Sequence, residues 1–165
     1  MNIETWKCGP PPSTGQKQRY PSRFIDNVRR YYPDFLSTNT LHLFSGSSDF
    51  GITTDIRADT GCDIIAPFDD IPLENGSVDN ALADPPYADF FMRDWDNDPL
   101  PRPKHILKEC SRLVKEGGLI GILHIIIIPA YKELKVERVG LHPILCGPNN
   151  AMRVFNVFKR VNGEK

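Results

Sequence analysis

The apolar residues of this chain fall into short runs whose spacing changes along its length. Phe24, Ile25, Val28, Tyr31 and Tyr32 share one face at the helical period, which predicts a helix from Ser22 to about Tyr32. Pro21 and Ser22 suit its start and Pro33 ends it. From there the pattern shifts to brief apolar runs closed by small or polar residues. Leu41 to Phe44 runs into the turn Ser45-Gly46-Ser47-Ser48, Gly51 to Ile56 carries Asp55 near its end, and Asp63 to Ala66 closes at Pro67. Glu74 to Ser77 makes a turn, after which Val78 to Ala83 delivers Asp84-Pro85-Pro86-Tyr87. Each reads as a strand.

A loop from Ala88 to Pro103 separates this half from a second helix, Lys104 to Glu116, with Ile106, Leu107, Cys110, Leu113 and Val114 on one face and Gly117-Gly118 as its stop. Leu119 to Ile128 is the most apolar run and is expected as a strand covered on both faces, as in a parallel sheet. Val136 to Leu145 and Ala151 to Arg160 finish the chain. Their short connector, Gly147-Pro148-Asn149-Asn150, requires antiparallel neighbours. The expected architecture is an α/β fold: a mostly parallel sheet ending in an antiparallel hairpin. Residues 1–20, with Pro10-Pro11-Pro12, read as an extended leader and residues 21–165 as a single domain.

Composition narrows this little. A chain of 165 residues, 40% hydrophobic and 25% charged, supports one ordinary globular core. No apolar run has the length of a membrane span, and the opening Met1 to Trp6 has no signal-peptide pattern, so no membrane partner and a cytoplasmic location are expected. Cys8, Cys62, Cys110 and Cys146 are scattered, which favours packed, reduced thiols over zinc ligands or a disulfide framework. A net charge of -1 argues mildly against tight independent nucleic-acid binding. Lys17, Arg19, Arg23, Arg29 and Arg30 nevertheless cluster early, either as a solvated helix face or as a phosphate-binding patch.

Ligands of open α/β sheets bind outside the carboxyl ends of the strands, and the Gly46 turn, Asp55 and Asp84 all fall at such ends. Asp84-Pro85-Pro86-Tyr87 has the sharpest chemistry. Two consecutive prolines fix φ and remove two amide donors, which leaves carbonyls without local competitors. An exocyclic amine of a nucleobase is a poor nucleophile because its lone pair is delocalised into the ring. Asp84 and the Pro85 carbonyl would accept its two N–H groups and direct that lone pair, while Tyr87 offers a face for stacking.

With these motifs in this order, the run from Leu41 to about Arg160 resembles the class I S-adenosylmethionine-dependent methyltransferases, which have a Rossmann-like sheet. Within them it is similar to the amino-methyltransferases that modify adenine N6 or cytosine N4 in nucleic acid, small forms of which occur in phage. The resemblance implies S-adenosylmethionine as cofactor. It also implies Phe44, Ser45, Gly46 and Ser47 as the cofactor loop and Asp55 as the carboxylate on the cofactor ribose. Asp84, Pro85, Pro86 and Tyr87 take the place of the catalytic motif. Tyr20 stands where the family often contacts the methionine part, and Phe68 with Asp69 or Asp70 stands where it binds the cofactor adenine.

The chain departs from the family pattern in its first βα unit: only eight residues separate Gly46 from Asp55, where the family inserts a helix. The helix at Ser22–Tyr32 is expected to cover that sheet face instead. Without a recognition domain, specificity falls to the Ala88–Pro103 loop with Phe90, Phe91 and Trp95, to the basic amino-terminal segment, or to a partner or second copy. The expected function is methylation of adenine N6 in DNA. An RNA amino-methyltransferase, a non-catalytic subunit that binds nucleic acid or a partner, and an enzyme that consumes the cofactor without a nucleic-acid acceptor stand as alternatives. His124 is expected as a satisfied core histidine.

Overall fold

The computed structural model describes residues 1–10, 20–46, 48–86, 100–148 and 150–162. Among the described residues nine strands form one sheet: β1 (Asn2–Ile3), β2 (Trp6–Lys7), β3 (Thr40–Leu43), β4 (Ile52–Asp55), β5 (Ile64–Ile65), β6 (Asn80–Ala83), β7 (Leu119–His124), β8 (Val136–Leu145) and β9 (Arg153–Arg160). Their spatial order is β1-β8-β9-β7-β6-β3-β4-β5, with β2 also on β8. All neighbouring pairs run parallel except β7 with β9 and β8 with β9. The mostly parallel sheet and its antiparallel carboxyl-terminal hairpin are therefore as expected. The first residues, read as a leader, contribute β1 and β2 to the outer edge of β8.

Successive side chains of a strand point to opposite faces, and here each face carries its own apolar layer. Leu41, Leu43, Ala81, Ala83, Ile120, Ile122 and Phe158 pack with helix α2 (Pro103–Leu113). Leu82, Leu123, Phe155 and Val157 pack with helix α1 (Phe24–Tyr31). Because both faces are covered, β3 and β6 are buried at every position, the polar Thr40, His42 and Asn80 included. Gly121 faces α1, and a Cβ there would stand 2.5 Å from the Phe155 ring and 2.8 Å from that of Phe35.

Helix α1 buries Phe24 and Val28 and stops where Tyr32 leaves helical geometry before Pro33. Helix α2 starts with Pro103 in its first turn, where a missing N–H costs nothing. It ends at Leu113, short of the expected Glu116, because Val114 is extended and bridges Val78. The Val78 N–H donates to the Leu113 carbonyl and Lys115 N–H to that of Val78, at 3.1 and 2.9 Å.

A larger correction concerns β7, which ends at His124 and not at Ile128. Ile125, Ile126 and Ile127 are exposed, while Ile128 is buried. The fully buried amide of Asn156 turns the chain: its Nδ2 donates to Ile126 O at 3.1 Å and its Oδ1 accepts from Ile128 N–H at 2.9 Å. Among the described residues no helix is long and apolar enough to cross a membrane.

Candidate active site

The order of strands reverses between β3 and β6, since β4 and β5 lie to one side of β3 while β7, β9 and β8 lie beyond β6. Register puts Leu43 beside Ala83, so Phe44 and Asp84 leave their strands side by side at one crevice.

On the β3 side, the chain turns sharply. Phe44 and Gly46 have φ of 55° and 52°, in the left-handed region that a bulky aromatic residue rarely adopts. The Phe44 ring lies 5.5 Å from that of Phe68, which anchors it on the connection between β5 and β6. Ser45 N–H donates to Thr54 O at 3.0 Å, and Gly46 N–H donates to Asp55 Oδ2 at 3.1 Å. Asp55 is buried, and its Oδ1 accepts from Arg57 N–H at 3.0 Å. The return into β4 depends on Gly51, where φ is 70° and a Cβ would sit 2.2 Å from the Thr40 carbonyl oxygen. This glycine lets the chain pass from β3 to β4 without the helix that the family pattern places there. Helix α1 stands on the Leu82, Leu123 and Phe155 face of the sheet.

On the β6 side, Asp84 has a side chain only 16% exposed, and Pro85 and Pro86 are buried. Arg153, the first residue of β9, brings Nη1 to 3.7 Å from Asp84 Oδ2. Burial pushes the Asp84 carboxyl up to about 6, partly offset by the Arg153 cation.

Tyr20 closes this end. Its hydroxyl pairs with His42 Nε2 at 2.5 Å, and its ring stacks on Phe24 and on His42. Burial raises the Tyr20 phenol well above its ordinary value; the nearby Asp84 charge adds to this and Arg153 opposes it. Burial also lowers His42 to about 3, so this imidazole is neutral. A histidine inside the otherwise apolar Leu41-His42-Leu43 was a readable sign of a buried polar partner. Arg153 had no such sign, because only the hairpin carries it to Asp84.

The structure therefore brings Tyr20, Phe44, Ser45, Gly46, Asp55 and Asp84 to one end of the sheet. Phe68 joins them through Phe44, whereas Asp69 is exposed in a turn closed by Asp70 N–H on Pro67 O. Ser47, Tyr87, Phe90, Phe91 and Trp95 lie outside the described residues, as do Lys17, Arg19 and Asn149. The early basic cluster does not converge as far as it is described. Arg23 starts α1 near the crevice, but Arg29 and Arg30 occupy its last turn, which leads through Phe35 to the opposite end of β3. Arg29 there pairs with Asp26 at 3.8 Å. His124 is buried at the end of β7, its Nδ1 accepting from Ile126 N–H at 3.3 Å. Cys8, Cys110 and Cys146 are buried and Cys62 half-buried.

No protein-family model and no curated protein sequence matches the chain. Solved structures do. A Haloferax volcanii complex of the Trm112 methyltransferase activator with its methyltransferase matches with a TM-score of 0.60 at 13% identity, over 86% of this chain and 90% of that one. A SAM-dependent methyltransferase from Methanosarcina mazei matches at 0.55 and 11%, over 78% and 96%. Geranyl diphosphate C-methyltransferase from Streptomyces coelicolor, in complex with Mg2+, geranyl diphosphate and S-adenosyl-L-homocysteine, matches at 0.54 and 12%, over 95% and 91%. The fold is thus the Rossmann-like fold of S-adenosylmethionine-dependent methyltransferases. That fold serves several chemistries.

Proposed function

We propose that this chain transfers a methyl group from S-adenosylmethionine to an exocyclic amine of a nucleobase, adenine N6 in DNA before any other. The observation that carries this reading is Asp84: a largely buried carboxyl at the end of β6, in the crevice where strand order reverses, beside the Gly46–Asp55 unit.

The residues on the cofactor side fit the ligand. Each Asp55 oxygen accepts one backbone N–H, which leaves further lone pairs for the two ribose hydroxyls. Ser45 Oγ is buried without a hydrogen-bond partner among the described residues, an arrangement that a polar ligand would relieve. Ile56, 52% exposed just after Asp55, supplies apolar surface for a flat ring. When bound, the cofactor supplies an electrophilic methyl sulfonium.

Asp84 and the Pro85 carbonyl then hold the two N–H groups of the acceptor and draw the nitrogen lone pair out of conjugation. Asp84 is also the group positioned to take the proton that nitrogen sheds. A base in a duplex must leave its stack to reach such a crevice, and Tyr87 would receive its face.

The test is incubation with labelled cofactor and unmethylated DNA or RNA, followed by nucleoside analysis. N6-methyladenine from DNA supports the reading. Product from RNA alone would move the acceptor to that polymer, and bound cofactor with no methylated nucleoside from either would overturn the assignment.

A further inference from the structure

Two arginine–carboxylate pairs of this chain differ in kind. On α2, Arg112 grips Glu109 by two nitrogens, with Nε at 2.9 Å from Oε2 and Nη2 at 2.5 Å from Oε1. The same guanidinium bonds the Ile71 and Leu73 carbonyls at 2.9 and 2.8 Å. That is a structural clamp: the Glu109 oxygens accept from the Arg112 guanidinium and from Ile71 N–H. Arg153 and Asp84 stand 3.7 Å apart, beyond hydrogen-bond distance but inside the range of a strong charge interaction. Among the described residues the Asp84 oxygens have no direct hydrogen bond. They keep their lone pairs for an incoming N–H while a cation stabilises their charge.

The topology shows how unusual this placement is. β7 lies between β6 and β9, so the Arg153 side chain reaches across the end of β7 to Asp84. Both side chains are largely buried, at 14% and 16% exposed. We propose that Arg153 is a positioning residue of the methyl-transfer site, holding Asp84 as an oriented anion with its lone pairs open to the acceptor amine. This rests on the reading of Asp84 as the amine-binding carboxylate.

The groups around Asp84 make the claim measurable. Tyr20, ahead of α1, is pushed far up by burial and stays neutral. From β3, His42 reaches the site only through Tyr20 and is neutral above about 3. Cys146, past the end of β8, has its thiol raised by burial, with Arg153 opposing and Asp84 adding to the rise. His124, at the end of β7, is lowered by burial. Among the described residues Asp84, at about 6, is thus the group that ionises just below neutrality beside Arg153.

The experiment is a carbon-13 NMR titration of the carboxyl-labelled full chain, with Asp84→Asn assigning the signal. It is run on wild type, Arg153→Lys, Arg153→Gln and Arg153→Met, alongside pH profiles of methyl transfer. Loss of a cation at this distance should raise the Asp84 midpoint by about one pH unit or more in the Gln and Met variants. The Lys variant should stay near wild type. The acidic limb of kcat/KM should follow the midpoint, so that Arg153→Gln recovers activity at alkaline pH, while His124→Gln leaves the limb in place. Circular dichroism identifies the neutral variant that folds. A midpoint that does not move, with activity lowered evenly at all pH, would overturn the proposal. A midpoint that moves in a protein that methylates no acceptor would uphold the charge coupling and bring down the methyl-transfer reading.

Discussion

The amide of Gly46 donates to Asp55 Oδ2 across 3.1 Å, so the turn after β3 and the last residue of β4 form one unit. With only eight residues between them, this bond and the Gly51 turn do the spatial work of a longer connection. Asp55 therefore has two tasks, bracing the turn and, on the proposed reading, holding the ribose.

Asp55→Ala should weaken S-adenosylhomocysteine binding by about 10- to 100-fold, from the loss of charge-assisted hydrogen bonds. Calorimetry measures this directly. Affinity within twofold of wild type would remove Asp55 from the cofactor site.

Asp84 should show a trade between stability and activity. Burial raises its folded pKa to about 6, above the ordinary 3.8. The folded state thus binds this proton more tightly than the unfolded chain does. Its stabilising contribution is full below the ordinary value and is lost as pH rises through about 6. Asp84→Asn should therefore be inactive yet more stable than wild type at pH 7–8, by about 1–3 kcal/mol, with the difference vanishing in acid. Thermal unfolding across pH tests the sign, and a variant less stable at neutral pH would contradict it.

Gly51→Ala places a Cβ against the Thr40 carbonyl at a φ that alanine disfavours. A loss of about 2–4 kcal/mol is expected, together with weaker cofactor binding because the strained turn precedes Asp55. Urea unfolding gives the first quantity and calorimetry the second.

Asn156 is fully buried and satisfies both ends of the chain reversal after β7. Asn156→Leu keeps the size but leaves the Ile128 N–H and the Ile126 carbonyl without their partner. Destabilisation of about 2–4 kcal/mol should follow. Faster amide exchange confined to residues 125–128 would locate the damage, and an unchanged exchange pattern would argue against this pin.

Much of this architecture is legible before folding because local chemistry dictates it. The bounds of β8 agree with the strand expected from Val136 to Leu145, and Pro33 follows directly on the end of α1. The small-residue turn at Gly46, the acid closing β4 and the double proline after β6 are likewise written in adjacent residues, and so is their common strand-end position. Other features depend on residues distant in sequence. Ile125 to Ile127 have the composition of a strand, yet β7 stops before them because Asn156 of β9 captures the backbone. Val114 has helical spacing but pairs with Val78, and the leader's Trp6 finds its place on β8. The charge state of Asp84 belongs to this second group. Periodicity can deliver a carboxylate to a strand end, but its pKa depends on what buries it and on which cation the antiparallel hairpin carries across β7.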